Sequence, residues 1–292
     1  MRRALIDALV ARAERDPRVV LLTGDLGFTV VEPFAERFPD RFVNVGVAEQ
    51  NLVGLATGMA EAGMVPFTYS LASFTALRPY EFVRNGPVLH RLPVRLVGVG
   101  GGFEYGVQGA THHGLEDLGV LRLQPGLTVV APADGAQLVT ALDVTADLPG
   151  PVYYRVGKTD PPPVPGLAGR FRLGRAEVLH EGDEVVVLAT GAIAGAAAEA
   201  AGALRRAGRS AGDAVVACVA PPPVDDLVAL LRDVPVAVTV EAHYAAGGLG
   251  SVVAEVVADH GLGCRVVRQG VRLLPGGRVG SQAWFEAQAG LT

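Results

Sequence analysis

Short runs of Val, Ile and Leu recur along this chain with helix-like segments between them, and the runs are closed by Gly, Asp or Pro. Val19–Thr23, Phe42–Val45, Val65–Tyr69, Val94–Val99, Leu127–Val130 and Val152–Tyr154 are such runs. A strand with one wet face alternates apolar and polar residues, whereas a strand covered on both faces is apolar throughout. The pattern therefore predicts a doubly wound α/β unit with a mostly parallel sheet over residues 1–160. Its helices are expected at Ala4–Glu14, Glu49–Ala62, Thr75–His90 and Asp134–Ala146, the last opened by Asp134 as an N-cap.

Residues 160–169 read Asp-Pro-Pro-Pro-Val-Pro-Gly-Leu-Ala-Gly. Prolines at this density can form neither a helix nor a central strand, so residues 161–170 are expected to be a semi-rigid linker. A second alternation follows. Strands are expected at Glu184–Ala189, Ala214–Cys218, Val236–Val240 and Cys264–Val267, with helices at Ala192–Arg206, Val224–Leu231 and Leu249–His260. Residues 171–292 thus read as a smaller α/β domain of the same kind.

Composition narrows the function. Half of the residues are hydrophobic and 19% are charged, which describes a folded chain rather than a disordered one. The net charge of -5 and the scatter of arginines argue against nucleic acid as a partner. Cys218 and Cys264 lie in apolar runs without metal-ligand spacing, as expected of reduced core residues. Met1-Arg2-Arg3 leads into a segment carrying Asp7, Arg12, Glu14 and Arg15 rather than an apolar leader. No stretch has the length of apolar residues that a spanning helix needs. A cytoplasmic protein with no membrane partner is the expectation.

Open α/β sheets bind ligands beyond the carboxyl ends of their strands. Four segments would gather there: Thr23–Gly27, Gly46–Asn51, Tyr69–Phe74 and the glycine-rich Gly98–Gly114. Glu49 sits at a strand-to-helix junction among glycine and alanine, where a sheltered carboxylate can share a proton with a heterocycle nitrogen. The helix dipole alone would also favour an acid at that first turn. The glycine-rich loop has no lysine in P-loop position, which excludes that class. Glu241–Gly250, in the second domain, faintly echoes a phosphate-binding turn.

Four ordered motifs carry a resemblance: Leu21–Phe28, Phe42–Gly54 (Phe-Val-Asn-Val-Gly-Val-Ala-Glu-Gln-Asn-Leu-Val-Gly), Arg78–Arg84 and Gly109–Gly114. Together they resemble the pyrimidine-binding region of thiamine-diphosphate-dependent transketolases, and in particular the carboxy-terminal subunit of split transketolases, over nearly the whole chain. The resemblance implies that Glu49 bonds the aminopyrimidine ring of the cofactor, that Phe74 stacks on that ring with Tyr80 close by, and that Asp25 lies in a loop near the cofactor. It sets His112, with His113 as a second, beside the reacting carbonyl. Arg155 and Arg2 are set against arginines that grip a sugar phosphate. Gln108 stands where single-chain members have a substrate-contacting aspartate, and Gly100 where they have a phosphate-binding histidine. Leu77 replaces an arginine of split subunits, and Pro221–Asp225 replaces a Lys-Pro-x-Asp segment.

No Gly-Asp-Gly followed by Asn-Asn occurs in the chain, and that segment holds Mg²⁺ and the diphosphate in the family. The resemblance therefore implies that Mg²⁺ is held by a partner, an N-terminal diphosphate-binding transketolase subunit, in an α₂β₂ heterotetramer. The implied activity is that of a transferase moving a two-carbon ketol unit from a ketose or ketose phosphate to an aldose. The alternatives are a 1-deoxyxylulose-5-phosphate synthase-like component, a 2-oxoacid dehydrogenase beta subunit, or a non-catalytic scaffold.

Overall fold

The computed structural model describes residues 1–274 and 276–292. Among the described residues twelve strands, β1 (Val19–Thr23), β2 (Phe42–Asn44), β3 (Val65–Leu71), β4 (Arg95–Val99), β5 (Thr128–Val130), β6 (Val152–Val156), β7 (Glu177–His180), β8 (Val185–Thr190), β9 (Ala211–Val215), β10 (Cys218–Ala220), β11 (Val236–Tyr244) and β12 (Arg265–Val271), form two sheets. The first has the order β10-β5-β6-β4-β3-β1-β2, the second β12-β11-β8-β9-β7. Pairing is parallel except where β10 meets β5 and β7 meets β9. Both are therefore mostly parallel α/β sheets with flanking helices.

The apolar runs become strands because both of their faces are covered. Along β1, Val19 and Leu21 enter one core while Val20 and Leu22 enter the other; β6 divides in the same way, with Val152 and Tyr154 on one side and Tyr153 on the other. The first of these cores continues into the second sheet through Val187, Ala189 and Val215. The other face of the second sheet has its own core around Leu188, Leu227 and Val253.

Four expectations are corrected. The run Ala214–Cys218 is not one strand: β9 ends at Val215, the chain crosses over, and β10 pairs with β5 of the first sheet, with Ala131 N–H donating to Ala217 C=O at 2.7 Å. A continuous apolar run does not reveal where a chain changes sheets. The proline-rich segment, expected to be a semi-rigid linker, is docked on the first core. Val164 N–H donates to Asp134 Oδ2 at 3.0 Å, and Val164, Leu167 and Phe171 are buried in the first core, so apolar residues among the prolines dock it. Asp134 also caps the helix Gly135–Thr145 by accepting from Gln137 N–H at 2.8 Å.

The expected helix Thr75–His90 is three pieces, Ala72–Leu77, Tyr80–Val83 and a wide turn over Arg84–Val88. Pro79, which lacks an N–H, falls at the first interruption, and Pro87 lies inside the wide turn. Finally, the helices Glu32–Arg37 and Gln282–Gln288 and the strand β7 have no counterpart among the expected elements. Among the described residues, no helix is long and apolar enough to cross a membrane.

Candidate active site

At the carboxyl ends of β1, β2 and β3 the chain makes the turns that shape the site. Gly46 takes a positive φ of 75°, a conformation that favours glycine, and so lets the chain leave β2 and enter the helix Glu49–Glu61 across only four residues, Val45 to Ala48. Asn44 holds this turn from both sides: its Oδ1 accepts from Gly46 N–H at 3.0 Å, and its Nδ2 donates to Asp25 Oδ1 at 2.8 Å. Asp25 is itself exposed and braces the turn.

Glu49 opens that helix and is only 2% exposed. Its carboxylate lies over the turn at Gly24, where a side-chain carbon would stand 3.6 Å from Oε1. Ser70 Oγ, from β3, donates to Oε1 at 3.2 Å. Arg78 Nη1 donates to Oε2 at 2.8 Å. A buried carboxylate needs such partners, because an unpaired charge out of water is costly.

Phe74 and Arg78 are four residues apart, from helix Ala72–Leu77 to its C-cap, so their side chains meet on one face. The guanidinium carbon of Arg78 stands 3.8 Å from the centre of the Phe74 ring. On another side of that ring lies His112, 5.1 Å away and edge-on. Its Nδ1 pairs with Thr111 Oγ1 at 2.9 Å. Burial lowers the His112 pKa from its ordinary value and the charge on Arg78 lowers it further, so the imidazole is held toward its neutral form. Glu49, Phe74 and His112 are thus brought together with Arg78, which opens one of the four sequence motifs but is given no role there. The four-residue spacing from Phe74 is the signal that marks it.

Other residues singled out in the sequence have contacts of their own. Tyr80 Oη donates to Val120 C=O at 3.1 Å and accepts from Gln124 Nε2 at 2.5 Å, and its ring packs on the second core of the first sheet. Arg155 is 5% exposed and paired with Asp117 Oδ1 at 2.8 Å and with Gly114 C=O, so its guanidinium serves an internal ion pair. Gly101 leaves the space it fills, since a side-chain carbon there would come within 2.2 Å of Arg155 Nε.

His113 is 3% exposed, edge-on to Phe103 and Phe285 at ring distances of 5.1 and 4.9 Å. Gln108 is exposed on the loop before His112. Arg2 donates through Nε to Lys158 C=O at 2.8 Å, and Arg2, Arg3 and Lys158 line a cavity of about 290 Å³. Lys158, which no sequence motif marks, lies 4.4 Å over the Tyr105 ring, whose centre is 6.5 Å from that of His112. The glycine turn after β11 is already filled: Glu241 accepts from Leu249 N–H and Gly250 N–H at 2.7 and 2.8 Å, so the helix end that could have met a phosphate carries the chain's own carboxylate.

Residues 1–163 match the model of the transketolase pyrimidine-binding domain, and residues 174–292 that of the transketolase C-terminal domain. A putative transketolase C-terminal section from Methanocaldococcus jannaschii is 33% identical over 93% of this chain and 86% of its own length. An apulose-4-phosphate transketolase subunit from Phocaeicola vulgatus is 33% identical over 91% of this chain and 86% of its own. Among solved structures, a split-gene transketolase described as an inactive β4 tetramer superposes with a TM-score of 0.91 at 36% identity, over 100% of this chain and 93% of that one. With two family models spanning nearly all of its length and relatives 33% identical over 91% and 93% of it, the chain belongs to the transketolase family.

Proposed function

We propose that this chain is the C-terminal, pyrimidine-binding subunit of a two-component thiamine-diphosphate-dependent transketolase. In this reading residues 1–160 form the pyrimidine-binding unit, residues 161–170 the joining segment and residues 171–292 the C-terminal-type unit. The observation that carries it is the sealed carboxylate of Glu49 at the carboxyl edge of the first sheet, with Phe74 and His112 around it. An acid and an aromatic face at one spot suit a flat ring with a basic nitrogen, so the residues present fit the pyrimidine half of the cofactor. When bound, thiamine diphosphate supplies the nucleophilic carbon that carries the two-carbon unit.

Glu49 would bond the ring nitrogen and hold a proton there, and Phe74 would fix the plane of the ring. His112, held toward its neutral form, can take or return a proton at a substrate oxygen. Lys158 and Arg2, beyond Tyr105 from His112, would attract an anionic end of the sugar. Mg²⁺ and the diphosphate are assigned to an N-terminal partner in an α₂β₂ assembly. The split-gene relative whose β4 tetramer is described as inactive supports this.

The test is to combine the chain with its diphosphate-binding partner, thiamine diphosphate and Mg²⁺, and to offer ketose donors with aldose acceptors. Transfer of a two-carbon unit is expected, and neither chain alone should turn over. One relative favours a second reading: a 1-deoxy-D-xylulose-5-phosphate synthase from Syntrophotalea carbinolica is 37% identical over 90% of this chain, although this chain covers only 42% of that enzyme. Product formation from pyruvate in place of a ketose would select it.

A further inference from the structure

The two contacts that the proposed cofactor ring needs are both made by one side chain of the protein itself. Arg78 bonds Glu49 Oε2 at 2.8 Å and lies 3.8 Å over the Phe74 ring. A guanidinium is flat, carries N–H donors in its plane and stacks on aromatic faces, which are the properties an aminopyrimidine uses at an acid and a ring. The pair is also asymmetric. Glu49 is 2% exposed while the Arg78 side chain is 42% exposed, so the carboxylate is fixed in the protein and the guanidinium reaches it from the solvent side. Ser70 holds the other oxygen of Glu49 from β3. Nothing comparable buries the guanidinium end: its one ion pair among the described residues is with Glu49.

We infer that Arg78 is a stand-in for the aminopyrimidine: it occupies the Glu49–Phe74 seat in the cofactor-free chain and swings out when the cofactor enters. This rests on the cofactor reading given above and adds a step to it. Without a cation at Glu49 the empty site would hold an unpaired buried carboxylate. The stand-in relieves that, and in return the cofactor must compete with it. Apparent affinity falls by the fraction of molecules whose seat is free. An ion pair with one exposed partner plus a cation–π contact corresponds to a competition of about three- to thirty-fold.

The test is calorimetric titration of thiamine diphosphate, with Mg²⁺ present, into the complex of this chain with its partner, for the wild type, Arg78→Ala and Arg78→Lys. Arg78→Ala is expected to bind about three- to thirty-fold tighter. Arg78→Lys, which keeps the charge but loses the flat stacking face, should lie between the two, and it serves alone if the alanine variant does not fold. The cofactor-free Arg78→Ala chain should also melt at a lower temperature, because Glu49 is left unpaired. Equal or weaker binding by both variants would overturn the inference and make Arg78 a lasting brace. No binding of thiamine diphosphate by any of the three would instead remove the cofactor reading, and the stand-in with it.

Discussion

Arg155 and Asp117 face each other at 2.8 Å with both side chains almost sealed from water, and the second oxygen of the same carboxylate accepts from Tyr153 Oη at 2.7 Å. An arginine committed in this way supports the loop from Gly98 to Gly114 from beneath. Truncating one partner of a buried pair leaves the other charge uncompensated, so Arg155→Met should destabilise the chain by about 3–5 kcal/mol, measured by urea unfolding. A loss below about 1 kcal/mol, together with a raised KM for phosphorylated donors, would return this residue to the substrate.

Tyr80 invites the opposite kind of experiment. Its hydroxyl bridges Val120 and Gln124, and both bonds disappear in Tyr80→Phe. About 1–2 kcal/mol of stability should be lost, with the calorimetric affinity for thiamine diphosphate unchanged. Several-fold weaker cofactor binding in a variant of normal stability would place the phenol at the cofactor after all.

Glu49→Gln keeps the shape of the side chain and its contact with Ser70 while removing the acid. In the reconstituted complex, single-turnover rates should fall by at least about two orders of magnitude, the usual scale for a positioned proton-transfer group. A variant as fast as the wild type would end the assignment.

The aromatic clasp around His113 makes stability depend on pH. Burial pushes this imidazole below its ordinary value of 6.5, with His112 adding to the shift. The unfolded chain then binds a proton near pH 6.5 that the folded chain refuses, so stability is present above that value and is lost as the pH falls through it. His113→Phe should flatten the change in urea midpoint between about pH 7 and pH 5. An undiminished slope in the variant would show that other groups, His112 among them, set it.

Much of the architecture is legible in the residues because apolar periodicity reports coverage. β1 and the helix Val224–Leu231 fall where the sequence puts them, since each is a single run with clear punctuation. What escapes is whatever depends on a distant partner. The crossing between Val215 and Cys218 follows from an open sheet edge at β5, not from any local residue. Phe285 packs against His113 across most of the chain length, and no spacing announces it.

The candidate site divides in the same way. Glu49, Phe74 and His112 lie in motifs that can be read in order, and they meet in space. Arg78 takes its place from a four-residue helical offset, Lys158 from the far end of β6, and neither stands in a motif that names its partner. Pro79 and Pro87 are plain in the sequence, but where they break the helix that carries this region depends on how its pieces pack.

The three residues Cys218–Ala220 belong by chain order to the later half of the protein but complete the margin of the earlier half's sheet. Losing them would bare a row of backbone groups on β5, the sort of rim on which chains stick to one another. Neither half can then come apart without exposing the other, and heating should give one melting transition rather than two.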